Sequence, residues 1–318
     1  MVNPTAGSSV DSTVTATVTA TAGPAADPAG AVLAIDVGGT KLAVGVVTAA
    51  GRIVTRGTTP TARASSADEL FASLVALAAE VRGSSVDEHG IVPGVCGVGC
   101  GGPMTPGGEE VSPLNIAAWR SFPLRARLAA ELGLPTFVDN DAKALALGEG
   151  WLGAASGCDD FVAMVVSTGV GGGIVLDGRL LDGAQGNAGH IGHVIVEPDG
   201  HRCSCGGRGC LEAEASGPAI EAATGRPAAR ADAATVARTG RLVGRAVASV
   251  AALLDLRLAV VGGSVALGFG EPFFAAAQAE VDARARIDYA RGTRVVPAGL
   301  GADAPLVGAA AVALRRRS

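Results

Sequence analysis

A chain of 318 residues, 48% hydrophobic and carrying 47 glycines, has enough apolar material to bury a large core and is long enough to divide into two domains. Its formal net charge of −5, with no basic cluster apart from Arg315-Arg316-Arg317, argues against a nucleic-acid surface, and that arginine run reads as a solvated end. No uninterrupted apolar run approaches the length needed to span a bilayer, so neither nucleic acid nor membrane is an expected partner.

Residues 1–30 are mostly Thr, Ala, Ser, Pro and Val, without the basic and long apolar regions of a signal peptide, and read as a disordered leader. Structure is expected from Ala31. There Ala31-Val-Leu-Ala-Ile-Asp36-Val-Gly38-Gly39-Thr40-Lys41 runs from an apolar strand into a tight turn, and a second apolar strand ends at Val47. Two glycines let backbone N–H groups approach an anion, Thr40 adds a hydroxyl, and Asp36 at the strand end is placed to hold a metal-bound water. An ordinary Gly-Gly turn would look the same in isolation.

Helices are expected over 68–81 and 241–256. A strand over 135–138 leads into Asp139-Asn140-Asp141-Ala142-Lys143 and a helix reaching Glu149. A carboxylate here is a candidate base for a hydroxyl nucleophile, with Asp141 the choice; the plainer alternative is a helix cap. Lys143 is expected to face solvent.

The strand 161–166 is followed by Ser167-Thr168-Gly169-Val170-Gly171-Gly172-Gly173 and another apolar strand, a second turn of the same design. A third, Gly262-Gly263-Ser264, follows the strand 260–261 and opens a helix, where it suits a nucleoside or its phosphates. The repetition implies two related α/β domains facing across a cleft: a small lobe over 31–138, a larger one over 139–304, and a last helix within 305–318 returning to the first.

The segment His193…Cys203-Ser-Cys205-Gly-Gly-Arg-Gly-Cys210-Leu-Glu212 holds four residues of the types that bind Zn²⁺ tetrahedrally, with glycines for a tight knuckle. A disulfide would leave one thiol and His193 unexplained. A closed site of this kind fixes a loop, and His190 and Glu212 flank its ligands where a substrate would lie. The unpaired knuckle fits a reducing cytoplasm.

Taken in order, Asp36–Lys41, Gly99–Pro103, Asn115 with Trp119, Asn140–Ala142, Ser167–Gly173, Gly192-His193 and the cysteine knuckle resemble the ROK family of sugar kinases, in the hexokinase and actin-like ATPase superfamily. The resemblance runs through nearly all of the chain beyond Ala31. It implies a two-domain actin-like fold with ATP and Mg²⁺ as co-substrate and metal, for which the glycine turns supply the expected contacts: Asp36, Gly38, Gly39, Thr40, Lys41, Thr168, Gly169, Gly171, Gly262 and Gly263. It further implies Asp141 as base toward a primary hydroxyl and zinc on His193, Cys203, Cys205 and Cys210. Sugar contacts are implied for Asn115, Asn140, Asp141, His193 and Glu212, and a homodimer or homotetramer is the family's habit.

One position departs from the pattern. Where the family usually reads Glu-x-Gly-His, this chain has His190-Ile191-Gly192-His193. A charged double acceptor becomes a group that donates at one nitrogen and accepts at the other, and a buried partner left unpaired costs about 1–3 kcal/mol. The expected activity is therefore phosphorylation of the 6-hydroxyl of a hexose or amino-hexose, either glucose or a modified glucose such as kanosamine. A C7-cyclitol kinase is the alternative reading. A sugar-responsive regulator is disfavoured by the short, unpatterned stretch before Ala31.

Overall fold

The computed structural model describes residues 17–20, 30–61 and 66–315. Its first sheet combines β1 (Thr17–Ala20), β2 (Val32–Val37), β3 (Lys41–Val47), β4 (Ile53–Pro60), β5 (Val95–Cys100) and β6 (Thr136–Asn140) in the order β1-β4-β3-β2-β5-β6. Strands β2, β5 and β6 run parallel, while β3, β4 and β1 pair antiparallel. Helix α1 (Ala67–His89) precedes β5, α2 (Leu124–Leu132) precedes β6, and α3 (Asp141–Leu152) leaves the end of β6 directly.

The second sheet repeats the scheme. Its order is β11-β10-β7-β8-β9, from β7 (Phe161–Val166), β8 (Val170–Leu176), β9 (Arg179–Leu180), β10 (Leu258–Gly262) and β11 (Arg294–Pro297). The β7–β8 hairpin with parallel β10 mirrors the β2–β3 hairpin with parallel β5. Helices α4 (Leu211–Ala215), α5 (Gly217–Thr224) and α6 (Ala233–Leu254) lie between β9 and β10, and α7 (Ser264–Phe269) and α8 (Glu271–Arg284) between β10 and β11. The last helix is α9 (Ala304–Arg315).

The central strands are apolar on both faces because both faces are covered. One core fills the space between the first sheet and α1 and α2, including Leu33, Leu74 and Leu128. Residues Leu306, Val307 and Ala310 of α9 cover that sheet's opposite face. In the second half, α6 and α8 cover one face, and Leu145 and Ala146 of α3 lie against the other. The layers therefore run α1/α2, first sheet, α9, α3, second sheet, α6/α8.

The two central helices touch at glycines. A Cβ on Gly148 would lie 3.0 Å from the Gly308 Cα, and one on Gly308 would lie 2.6 Å from the Ala144 carbonyl oxygen. No side chain separates the helices there.

Several boundaries differ from the sequence reading. Helix α1 continues eight residues past Val81 because Ser85 is buried, its hydroxyl donating to the Ile91 carbonyl, and Gly90 closes the helix at φ 66°. Helix α6 starts earlier, at an Asp232 cap accepting from the Thr235 amide at 2.8 Å. Residues Thr17–Ala20, within the expected disordered leader, form an antiparallel edge strand on β4; the rest of that leader up to residue 29 lies outside the described residues. Arg315 is not a solvated end: it pairs with Asp182 at 2.9 Å, while Arg316 and Arg317 lie outside the described residues.

Replacing Gly308 with Leu is expected to destabilise the chain by about 1–3 kcal/mol, because the added atoms meet backbone that cannot rotate away. Urea denaturation, with the midpoint compared against the parent protein, reads this directly.

Candidate active site

The first glycine turn, between β2 and β3, is closed by the Gly38 amide donating to the Lys41 carbonyl at 3.1 Å. Thr61 clamps it from outside, donating its hydroxyl to the Gly38 carbonyl at 2.7 Å and its amide to Thr40 at 3.0 Å. Thr40 and Lys41 are exposed. Gly39 has no room for a side chain, since a Cβ would lie 2.5 Å from the Asn115 Cβ. Asn115 is thereby brought against the turn from a loop 76 positions further along the chain. Trp119 is wholly buried, stacked on Phe122 at 4.5 Å.

Asp36 and Asp141 face each other across Gly99. In the parallel ladder Asp36 is opposite Gly99, and a Cβ there would lie 3.9 Å from Asp36 Oδ1 and 3.7 Å from the Asp141 Cα. Asn140 caps α3, its Oδ1 accepting from the Ala142 amide at 3.0 Å, which leaves Asp141 as the first helical residue. The Asp141 Oδ1 also accepts from Ala142, at 2.8 Å.

Asp141 is accessible yet deep among surrounding groups, and desolvation raises its carboxyl pKa; the Ala142 amide and His190 oppose the rise. Burial pushes the Asp36 carboxyl up to about 7, the Asp141 charge adds to it, and Lys41 acts against it. Two carboxylates in one recess, both resisting ionisation, form a site that favours a cation.

The second glycine turn is held from the knuckle side. Glu212 Oε2 accepts the Val170 amide at 2.9 Å and lies 3.0 Å from where a Gly169 Cβ would be. Thr168 at its tip is exposed. Strand β8 then packs on α3, with Gly171 against Ala142 and Gly173 against Ala146. The third turn stands beside the second because β10 pairs with β7; Ser167 Oγ and Ser264 Oγ are 2.8 Å apart. Gly262 and Gly263 abut Ala298 and Val166, not the Asp36–Asp141 recess.

His190 opens toward Asp141, Glu212 and His193. Its ring lies 6.1 Å from that of His193 and within 12° of parallel. Burial lowers its pKa first, followed by His193, while Glu212 and Asp141 pull upward and Lys143 lowers it further. A pKa below the ordinary value leaves the imidazole neutral at pH 7, one nitrogen donating and one accepting.

His193, Cys203, Cys205 and Cys210 place their ligand atoms within 4.8 Å of one another. His193 Nδ1 is 3.7 Å from Cys203 Sγ, and Cys205 Sγ is 3.8 Å from Cys210 Sγ. The loop is tied to the body by Glu214, which accepts from the His201 amide at 2.6 Å and from Arg238 at 2.5 Å. Cys96 and Cys100 are separate, buried core thiols.

Lys143 contradicts its expected exposure. It is 2% exposed, its ammonium 2.8 Å from Asp182 and 3.4 Å from Asp139. Two helical positions beyond Asp141 is the opposite side of α3, which explains why it reaches a different set of groups. The sequence reading also passed over Gly101 and Gly102, which line the recess: a Cβ on Gly102 would lie 3.4 Å from Asn140 Nδ2. The run Gly99–Pro103 was the available signal.

Two sheets of repeated design, with turns and carboxylates gathered around a shared central helix, define a two-lobed α/β fold of the hexokinase type. The chain belongs to the ROK family, whose model matches residues 32–316. It is 38% identical over 256 residues to an N-acetylmannosamine kinase of Yersinia pestis, a match that spans 76% of this chain and 85% of that one. Among solved structures it is similar to a ROK hexokinase from Thermus thermophilus, with TM-score 0.76 and 33% identity, covering 90% of this chain and 99% of that chain. It is also similar to a ROK glucokinase from Streptomyces griseus in complex with glucose and AMPPNP, with TM-score 0.74 and 30% identity, covering 90% and 100%.

The raised Asp36 value carries a pH signature. The folded state holds this proton more tightly than the unfolded chain, so its stabilising contribution is complete below the ordinary value of 3.8 and is lost as pH rises through about 7. In buffer without divalent metal or nucleotide, Asp36→Asn is expected to gain stability relative to the parent between about pH 5 and pH 8. Urea midpoints of both proteins across that range check it; a constant difference would place the Asp36 value near that of a free carboxylate.

Proposed function

We propose that the chain is an ATP-dependent kinase transferring the γ-phosphoryl group to the 6-hydroxyl of a hexose or amino-hexose, with Asp141 as general base. The observation that carries this reading is the placement of Asp141 at the first position of α3, facing Asp36 across Gly99 and within electrostatic reach of His190. A sugar hydroxyl is a poor nucleophile at neutral pH, and a carboxylate whose proton affinity is raised by burial is suited to accept its proton.

The sugar is bound, in this reading, by Asn115, Asn140, Asp141, His190, His193 and Glu212. Glu212 links this set to the phosphate side, because the carboxylate oxygen that accepts the Val170 amide also fixes the second glycine turn. The nucleotide takes the three turns, at Asp36 and Gly38 to Lys41, at Thr168, Gly169 and Gly171, and at Gly262-Gly263. The Thr40 and Thr168 hydroxyls and the turn amides other than those of Gly38 and Val170, which bond to Lys41 and Glu212, orient its phosphates.

The Asp36–Asp141 pair fits Mg²⁺, which when bound neutralises phosphate charge; Asp36 would hold it through water. The knuckle fits Zn²⁺. Bond lengths of about 2.3 Å to sulfur and about 2.0–2.1 Å to nitrogen imply tetrahedral edges of about 3.8 Å (S to S) and about 3.6 Å (S to N), close to the observed 3.8 and 3.7 Å. Such an ion would hold the loop that presents His190 and Glu212 and would take no part in the chemistry.

His190 bears on the substrate. A neutral imidazole accepts one hydrogen bond where the family's carboxylate accepts several, so a ring with an altered substituent is favoured over glucose. An amino-hexose such as kanosamine keeps the 6-hydroxyl, and its ammonium would pair with Asp141 or Glu212. A C7 cyclitol, which has no anomeric hydroxyl, is the second reading that the same histidine favours.

Asp141→Asn is expected to lower kcat about 10²–10⁴-fold with the Michaelis constant for ATP unchanged. ADP release measures this, and atomic absorption on the same sample should find one zinc per chain; turnover close to the parent's would remove Asp141 from its role.

ADP release from glucose, N-acetylmannosamine, glucosamine, kanosamine and a C7 cyclitol, by the parent and by His190→Glu, tests the specificity. Glucose is expected to be a poor substrate for the parent and to improve about tenfold or more in the variant. Equal glucose turnover in both would make the histidine neutral to recognition.

A further inference from the structure

The proposed site does not use the ion cluster on the far side of α3, where the buried Lys143 joins three separate parts of the chain. Its ammonium donates to Asp182 Oδ1 at 2.8 Å and to the Gly186 carbonyl at 3.1 Å, and it lies 3.4 Å from Asp139 at the end of β6. Arg315 of α9 closes the group, 2.9 Å from Asp182 Oδ2 and 3.8 Å from Asp139 Oδ2. Two cations face two anions, so the cluster is neutral. Desolvating a charged side chain as buried as Lys143 is expensive, and an uncharged helical residue would cover the same surface at lower cost.

The lysine's partners show what the arrangement holds. Asp182 and Gly186 belong to the segment between β9 and His190, which has no regular secondary structure over 181–190. Its entry is fixed by the Leu181 amide donating to Ile174 at 2.8 Å, and its middle by the Ala188 amide donating to the Asp182 carbonyl at 3.0 Å. At its end Gly189 abuts the backbone of Gly172, with no space for a Cβ. Between those points Lys143 grips both a side chain at 182 and a carbonyl at 186, and Arg315 holds Asp182 from α9. Lys143 and Asp141 stand two residues apart on one rigid helix.

We propose that Lys143 is a positioning residue: through Asp182 and Gly186 it fixes the 182–189 segment, and so sets where His190 stands relative to Asp141. This rests on the reading of His190 as a sugar contact. A lysine reaching under the helix that bears the base makes the distance between base and specificity residue a property of α3, not of a free loop.

The test is a double-mutant cycle on the full-length protein. The charge-balanced variant Lys143→Met/Asp182→Asn removes one cation and one anion and leaves Asp139 with Arg315. Its Michaelis constant for the preferred sugar is expected to rise about tenfold, with that for ATP unchanged. In a His190→Ala background the same pair of changes is expected to add nothing, because the residue through which they act is gone. An equal rise in both backgrounds, a parallel rise for ATP, or no change at all overturns the proposal.

Loss of folding would show as a lost thermal transition, and Asp182→Asn alone, which leaves Lys143 paired with Asp139, is then read by the same criteria. If His190→Ala by itself leaves sugar binding unaltered, the reading of His190 as a contact has failed and the anchor is judged by amide hydrogen exchange. Faster exchange confined to 183–189 in the Lys143→Met/Asp182→Asn variant supports it, and unchanged exchange there overturns it.

Discussion

The close approach of α3 and α9 is the constraint on which the molecule depends. Two sheets, each covered on its outer face, must share a middle layer, and that layer is only two helices thick. The helices meet at Gly148 and Gly308, and alanines flank the contact at 144, 309 and 310. The same shortage of space recurs where α3 meets β8, at Ala142 and Ala146 against Gly171 and Gly173. Small residues in this chain secure proximity more than flexibility. The Ala- and Gly-rich composition that first looks bland is the condition for putting both sheets within reach of one helix.

That helix converts packing into chemistry. It starts where β6 ends, so Asp141 is fixed with respect to the first sheet and to Asp36; it packs under β8, so it is also fixed with respect to the second glycine turn. Charge then follows from position. Asp36 and Asp141 are held in one recess with only Gly99 between them, and neither ionises as readily as in water. Across the helix, Lys143, Arg315, Asp139 and Asp182 meet with charges balanced. One side of α3 brings Asp141 beside Asp36, where ionisation is resisted, and the other balances its own charges.

What the sequence made legible was local. Strand, glycine turn and strand are adjacent in the chain, so both hairpins and the β10 turn were readable from apolar runs and glycine pairs, and the clustering of His193 with the three cysteines followed from spacing within one loop. Contacts that cross the chain were not. Lys143 and Asp182 are 39 positions apart and Arg315 another 133 from Asp182, so a lysine on a short helix looked like any solvated lysine. The edge strand at Thr17–Ala20 was passed over for a different reason: Thr13 to Ala20 alternate threonine with valine or alanine, the period of a strand, but the segment carries no large apolar residue, and its partner, the edge of β4, lies about 40 positions away. Helix ends were misjudged where a cap carried the information, as at Gly90 and Asp232.

His190 shows how one side chain changes the demand a site makes without changing its frame. The knuckle, the Glu212 contact with Val170 and the cap at Asn140 do not require a carboxylate at position 190, so the exchange leaves the fold intact. It alters the inventory. A carboxylate would add a third negative group to Asp141 and Glu212 and would be satisfied only by several hydroxyl donors. The neutral imidazole asks for one donor and offers one, and it does not repel an ammonium as a protonated ring would. On the proposed reading, a substrate with an amine in place of a hydroxyl would still find two carboxylates to pair with. An ordinary imidazole is already mostly neutral at pH 7 and its surroundings lower its pKa further, so what position 190 changes is the hydrogen-bonding inventory of the site more than its charge.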